Sequence, residues 1–175
     1  NVSSGGVSTN DQITSNGTQN VGAGAATVST TVNGSQNVSG GTASASQINS
    51  GGVQTVSSGG TARASQINNG GTQIVAAGGV AANGTVNGGG QLVVGVGGLI
   101  SSTTVNNGGV VNVGSGGSSF FTQIFSGGIE RIMSGGFGPS AFIFSGGSQI
   151  IDYGGVDAGT TVYKGGVQTV FGLAS

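Results

Sequence analysis

Residues 53–71, VQTVSSGGTARASQINNGG, are one copy of a unit that recurs along nearly the whole chain. Counted from the residue before its Gln, copies begin at Thr18, Ser35, Val53, Thr72, Gly90, Val110, Ile129, Ser148 and Val167. The steps between them are 17, 18, 19, 18, 20, 19, 19 and 19 residues. A near-constant period of this size belongs to a solenoid, in which each unit buries its apolar side only against its neighbours.

The punctuation of the unit decides which solenoid. Glycine pairs alternate at spacings of eight and eleven residues, as at 51–52, 59–60, 70–71 and 78–79, and again from 108–109 to 165–166. Paired glycines mark turns. Between them lie a short segment, QTV in this copy, and a longer one, TARASQIN. Two positions are always β-branched. One holds Val21, Val38, Val56, Val75, Val93, Val113, Ile132, Ile151 and Val170; the other holds Val32, Ile48, Ile67, Val86, Val105, Ile124, Ile143 and Val162. Such residues suit strands, and no segment has the length or 3.6-residue period of a helix. The pattern predicts an all-β, right-handed parallel β-helix of about 19 residues per coil. Its handedness follows the rule for parallel crossovers.

Residues 1–175 show no linker or composition break and read as a single β-helix domain. The first residues look like the tail of a preceding unit and the last like an unfinished one. The expectation is therefore a piece of a longer repeat protein, without its natural caps. Charged residues make up 4% and the net charge is −1, which offers no basic stripe to nucleic acid or anionic lipid. The chain has no Cys and no His, which excludes a disulfide scaffold, Cys/His metal sites and His-based nucleophilic catalysis. No cofactor is expected.

Two polar ladders follow from the repeat. Gln stands at its second position in Gln19, Gln36, Gln54, Gln73, Gln91, Gln149 and Gln168, replaced by Val111 and Glu130. Asn follows the second aliphatic position in Asn33, Asn49, Asn68, Asn87 and Asn106. Stacked amides bond one another along such a rod. The Asn column then continues as Phe125, Phe144 and Tyr163. These rings form either a wide core corner or an outward binding stripe for sugars or another protein. The early core is thin, with Ala43, Ala45, Ala62 and Ala64 beside their isoleucines. Of the four acids, Asp11, Glu130, Asp152 and Asp157, the pair Glu130 and Asp152 lies on neighbouring coils at different positions. They read as solvated surface charges rather than as a catalytic pair. Residues 135–143, GGFGPSAFI, approach a calcium-binding nonapeptide but place Ser140 where the Asp ligand belongs.

Units such as SQNVSGGTASASQINSGG and TQIVAAGGVAANGTVNGGG resemble the 19-residue repeats of AIDA-type self-associating autotransporter adhesins, the group that includes the TibA-like passengers. The resemblance spans about residues 18–171. It implies a secreted passenger on a bacterial surface, held to the outer membrane by a C-terminal β-barrel that is absent here. The implied functions are adhesion to a host-cell receptor or glycan, self-association and biofilm formation. It also implies serine O-glycosylation with heptose by a dedicated glycosyltransferase before export. Carried over to this sequence, the acceptors are the serines directly before glycine pairs: Ser4, Ser39, Ser50, Ser58, Ser115, Ser126, Ser134 and Ser145. The rival classes are a polysaccharide-cleaving β-helix enzyme, which needs clustered acids, and an ice-binding β-helix. The latter needs a regular Thr ladder, whereas Thr42 and Thr61 give way to Val80, Leu99 and Ser118.

Overall fold

The structure is a computed structural model that describes residues 1–171. Each coil contains three short strands, as in Val53–Ser57, Thr61–Arg63 and Gln66–Ile67. Equivalent strands of successive coils pair in parallel, giving three sheets of nine, seven and nine strands. Sheet I runs from Thr18–Val21 to Val167–Val170, sheet II from Val7–Thr9 to Ser118–Phe120, and sheet III from Gln12–Ile13 to Thr161–Val162. Beyond Phe120, sheet II continues only as single bridges from Ser118 to Phe137 and from Phe137 to Val156. The molecule is the all-β solenoid that the repeat predicts. It is a rod about 40 Å long at roughly 4.8 Å per coil.

The two glycine turns join sheet I to sheet II and sheet III to sheet I. Their two glycines are needed for different reasons. Gly59 has φ +77° with open space around it, so only its backbone angle demands glycine. Gly60 is crowded. A β-carbon there would overlap the carbonyl oxygen of Val38 in the preceding coil and lie 2.7 Å from its carbonyl carbon. The longer segment conceals a third corner that the sequence reading missed. It bends at a single left-handed residue: Asn10, Ser29, Ala45, Ala64, Asn83, Ser102, Phe121, Ser140 and Gly159 in successive coils. Ala45 and Ala64 therefore project outward and are exposed, contrary to the expectation that they fill the core, while Ala43 and Ala62 are buried.

The aliphatic columns lie inside as expected. Val56, Val75, Val113 and Ile132 are fully buried, as are Ile67, Val86, Val105, Ile124 and Ile143. Each such side chain contributes about 1.5–3 kcal/mol. One coil corrects the reading of the repeat. Thr72 pairs with Gln91, Gln73 with Leu92, and Val75 with Val94. Gln91 is therefore exposed, and Val93 faces outward, while Leu92 and Val94 occupy the buried columns. Aligning this coil on its glutamine gave steps of 18 and 20 residues. The backbone instead keeps 19 and 19 residues, and a one-residue slip reverses every side chain of a strand.

Beside the Val column the core is polar. Gln36, Gln54, Gln73 and Gln149 are fully buried. Each amide donates to the preceding coil: Gln36 Nε2 to Gln19 Oε1 at 2.8 Å, Gln54 Nε2 to Gln36 Oε1 at 2.5 Å, and Gln73 Nε2 to Gln54 Oε1. Interior hydroxyls complete the set, with Ser46 and Ser65 donating to Gln36 and Gln54 at 3.2 Å. Leu92 and Val111 break the ladder for two coils, and Ile100 fills the same region. At this boundary Gln73 Oε1 is buried without a partner.

The ladder resumes at Glu130, which overturns its reading as a solvated surface charge. Glu130 occupies the inward Gln position, Cα-paired with Val111 and Gln149, and is fully buried. Ser119 and Thr122 donate to its Oε1 at 2.6 and 2.8 Å, and Gln149 Nε2 donates to its Oε2 at 3.0 Å. Burial pushes its carboxyl above the ordinary value, and the three hydrogen bonds offset only part of that rise.

Candidate functional site

All eight serines that precede glycine pairs are exposed. They line two edges of the rod. Ser4, Ser39, Ser58, Ser115 and Ser134 lie between sheets I and II; Ser50, Ser126 and Ser145 lie between sheets III and I. For Ser4, Ser50, Ser115, Ser126, Ser134 and Ser145 the left-handed glycine of the next coil's turn gives the hydroxyl its room. A β-carbon on Gly146 would meet Ser126 Oγ at 2.6 Å, one on Gly135 Ser115 Oγ at 2.7 Å, and one on Gly154 Ser134 Oγ at 2.8 Å. The backbone of these corners is held coil to coil, as in Gly127 N to Gly146 O at 2.8 Å. The serine hydroxyls are thus the accessible chemical groups of a rigid edge. By contrast Ser46 and Ser65 are sealed inside. Ser39 sits in a shortened corner, where it pairs with Ser57 rather than Ser58.

The aromatic column faces outward. Phe125 is 37% and Tyr163 45% exposed. Phe125 and Phe144 stack at 4.7 Å and 4°, and Phe144 and Tyr163 at 4.9 Å and 6°. The rings cover one another's faces and present their edges, so sugar stacking, which needs a free face, is poorly served. The Asn ladder that precedes them is bonded from Asn49 to Asn106, with spacings of 2.9, 2.9 and 3.0 Å.

Two surface features had escaped the sequence reading. The open face of sheet I gains apolar residues after residue 72, where Ile74, Val93, Val110, Ile129 and Ile150 stand at outward positions among Gln91, Asn112, Arg131 and Ser148. A parallel sheet is normally covered on both faces. The signal was in the first and third residues of each unit, once their register was known. On sheet II, Phe120, Phe121 and Phe137 form a separate aromatic cluster.

The acids do not converge. Glu130 is interior, whereas Asp152 is on the surface, bound bidentately by Arg131 at 2.7 and 3.1 Å. Asp157 accepts from Thr160 and Gln168, and Asp11 accepts from Gln19 at the far end of the rod. No cluster of three or more His, Cys, Asp or Glu that could hold a metal occurs among the described residues.

Among solved structures, the chain is similar to a fragment of TibA hyper-glycosylated through catalysis by TibC. The two share 32% sequence identity and a TM-score of 0.77, over 97% of this chain and 76% of that one. The chain belongs to the TibA-like family. No protein-family model and no curated protein matches it. Its TibA-like character thus rests on the coil architecture and on identity along nearly its whole length.

Proposed function

We propose that this TibA-like chain is an adhesin passenger displayed outside the bacterial cell, and that a TibC-like glycosyltransferase modifies its Ser-Gly-Gly edges before export. The observation that carries the reading is the exposure of all eight turn serines on a fold shared with a hyper-glycosylated TibA fragment. Heptose on these serines turns a thin, weakly charged rod into one with hydrated ridges. Many weak contacts along such ridges sum to firm attachment to a host-cell receptor or glycan. The outward apolar residues of sheet I favour a second role in self-association and biofilm formation, because net charge −1 offers little repulsion between rods.

Peptide mapping of protein coexpressed with TibC tests the modification. Sugar should concentrate on Ser58, Ser115, Ser134 and their equivalents. Bare turns, with sugar on residues such as Ser46 or Ser65, would defeat the proposal.

A further inference from the structure

The cluster on sheet II has features that the stacked column lacks. Phe121 occupies the third corner at φ +56° and is 50% exposed. Its equivalents, such as Ala64, Asn83, Ser102 and Ser140, are small or polar. A bulky side chain in the left-handed region is an outlier, and strain of this kind gathers at functional sites. Phe120, one residue earlier, faces outward where Ser101 stands in the coil before it. Phe137, 36% exposed, meets Phe120 edge to face at 6.0 Å and 83°. Phe120 and Phe121 lie 6.5 Å apart and tilted by 47°. Neither contact stacks ring face on ring face, unlike the Phe125–Phe144–Tyr163 column. Half-buried Ser101, Ser102, Ser118 and Ser140 surround them.

We propose that Phe120, Phe121 and Phe137 form a binding platform for a neutral sugar ring, with the neighbouring serine hydroxyls meeting its hydroxyl groups. Charge and size select this occupant. In the column of outward positions that holds Phe120, the nearest charge toward the N-terminus is Arg63, three coils away. That leaves no cation on the N-terminal side of this column to meet an acidic or phosphorylated ligand. The rings expose only on the order of 200–300 Å², well below the roughly 800 Å² per partner of a stable protein interface. The proposal rests on the adhesive reading for its biological role but is independent of serine glycosylation.

The test uses the unglycosylated chain, so that its own sugars do not compete. Neutral oligosaccharides of glucose, galactose and N-acetylglucosamine are screened by saturation-transfer NMR, and affinities are measured for those that bind. Phe121→Gly removes one ring and relieves the backbone, so it should weaken binding about ten-fold while leaving the melting temperature unchanged or higher. Phe144→Ala, in the stacked column, should bind as the parent does. The proposal is overturned if no panel sugar binds, if F121G binds like the parent, or if the rings instead mediate dimer formation. Adhesion of displaying cells that persists alongside a failed sugar screen leaves the adhesin reading standing without this site.

Discussion

Replacing Glu130 by Gln isolates the effect of one buried carboxyl. The substitution keeps the shape of the side chain and restores the residue found at this place in Gln54, Gln73 and Gln149. Because burial raises the carboxyl of folded Glu130 above its ordinary 4.5, the native state holds a proton that the unfolded chain releases. The stabilising contribution is complete below about pH 4.5 and is lost as pH rises towards the folded-state value. Across that window stability falls by about 1.4 kcal/mol per pH unit. For a chain of this length that is roughly 3–5 °C in Tm per unit. Circular dichroism melts between pH 4 and 8 should show this decline in the parent and a much flatter profile in E130Q. E130Q should also be the more stable protein at the upper end of the range. A parent profile that is flat or rises from pH 4.5 upward would refute the argument, as would an E130Q profile with the parent's slope.

Other substitutions probe the corners and the aromatic column. Gly59→Ala should cost about 1–2 kcal/mol for its left-handed backbone, whereas Gly60→Ala should cost about 3 kcal/mol or more, since only backbone movement relieves its overlap with Val38. Urea titrations of the two variants distinguish these costs, and equal losses would contradict the crowding argument. Phe144→Ala removes two stacked contacts and should destabilise by about 1–3 kcal/mol, with local hydrogen exchange around Phe125 and Tyr163 rising most. Unchanged exchange there would mean that the stack contributes nothing.

The coil, its two glycine corners and its aliphatic columns were legible because each is enforced at one position in most copies. Ile67 and Val113 have no alternative to the interior once the turns are placed. The third corner was not legible because it needs only one left-handed residue, and Ala64, Asn83 and Phe121 share no chemistry that announces it. Gln91 misled for a related reason: a glutamine can occupy either face of a strand, and only the count of residues through the corners fixes which. Glu130 was read as a surface charge because a lone acid usually is one. Its place in the Gln register was the stronger signal, since hydroxyls at 119 and 122 already line that part of the core. The serine edges were legible from the turn motif, whereas the Phe121 cluster depends on residues that only the fold brings side by side.

The amide ladders also give the rod a direction. Gln36, Gln54, Gln73 and Gln168 each donate a hydrogen bond to the coil before them, and on the outside of the rod Asn68, Asn87 and Asn106 do the same. Where the ladders run, each coil thus offers acceptors towards its C-terminal neighbour and donors towards its N-terminal one, and the amide dipoles of both columns align. At the first rung the leading donor, on Gln19, is met by the Asp11 carboxylate at 2.5 Å. A coil laid down upside-down would set like groups face to face in both columns at once. The last amide of each ladder therefore presents its acceptor to the coil that follows in one polarity and one register.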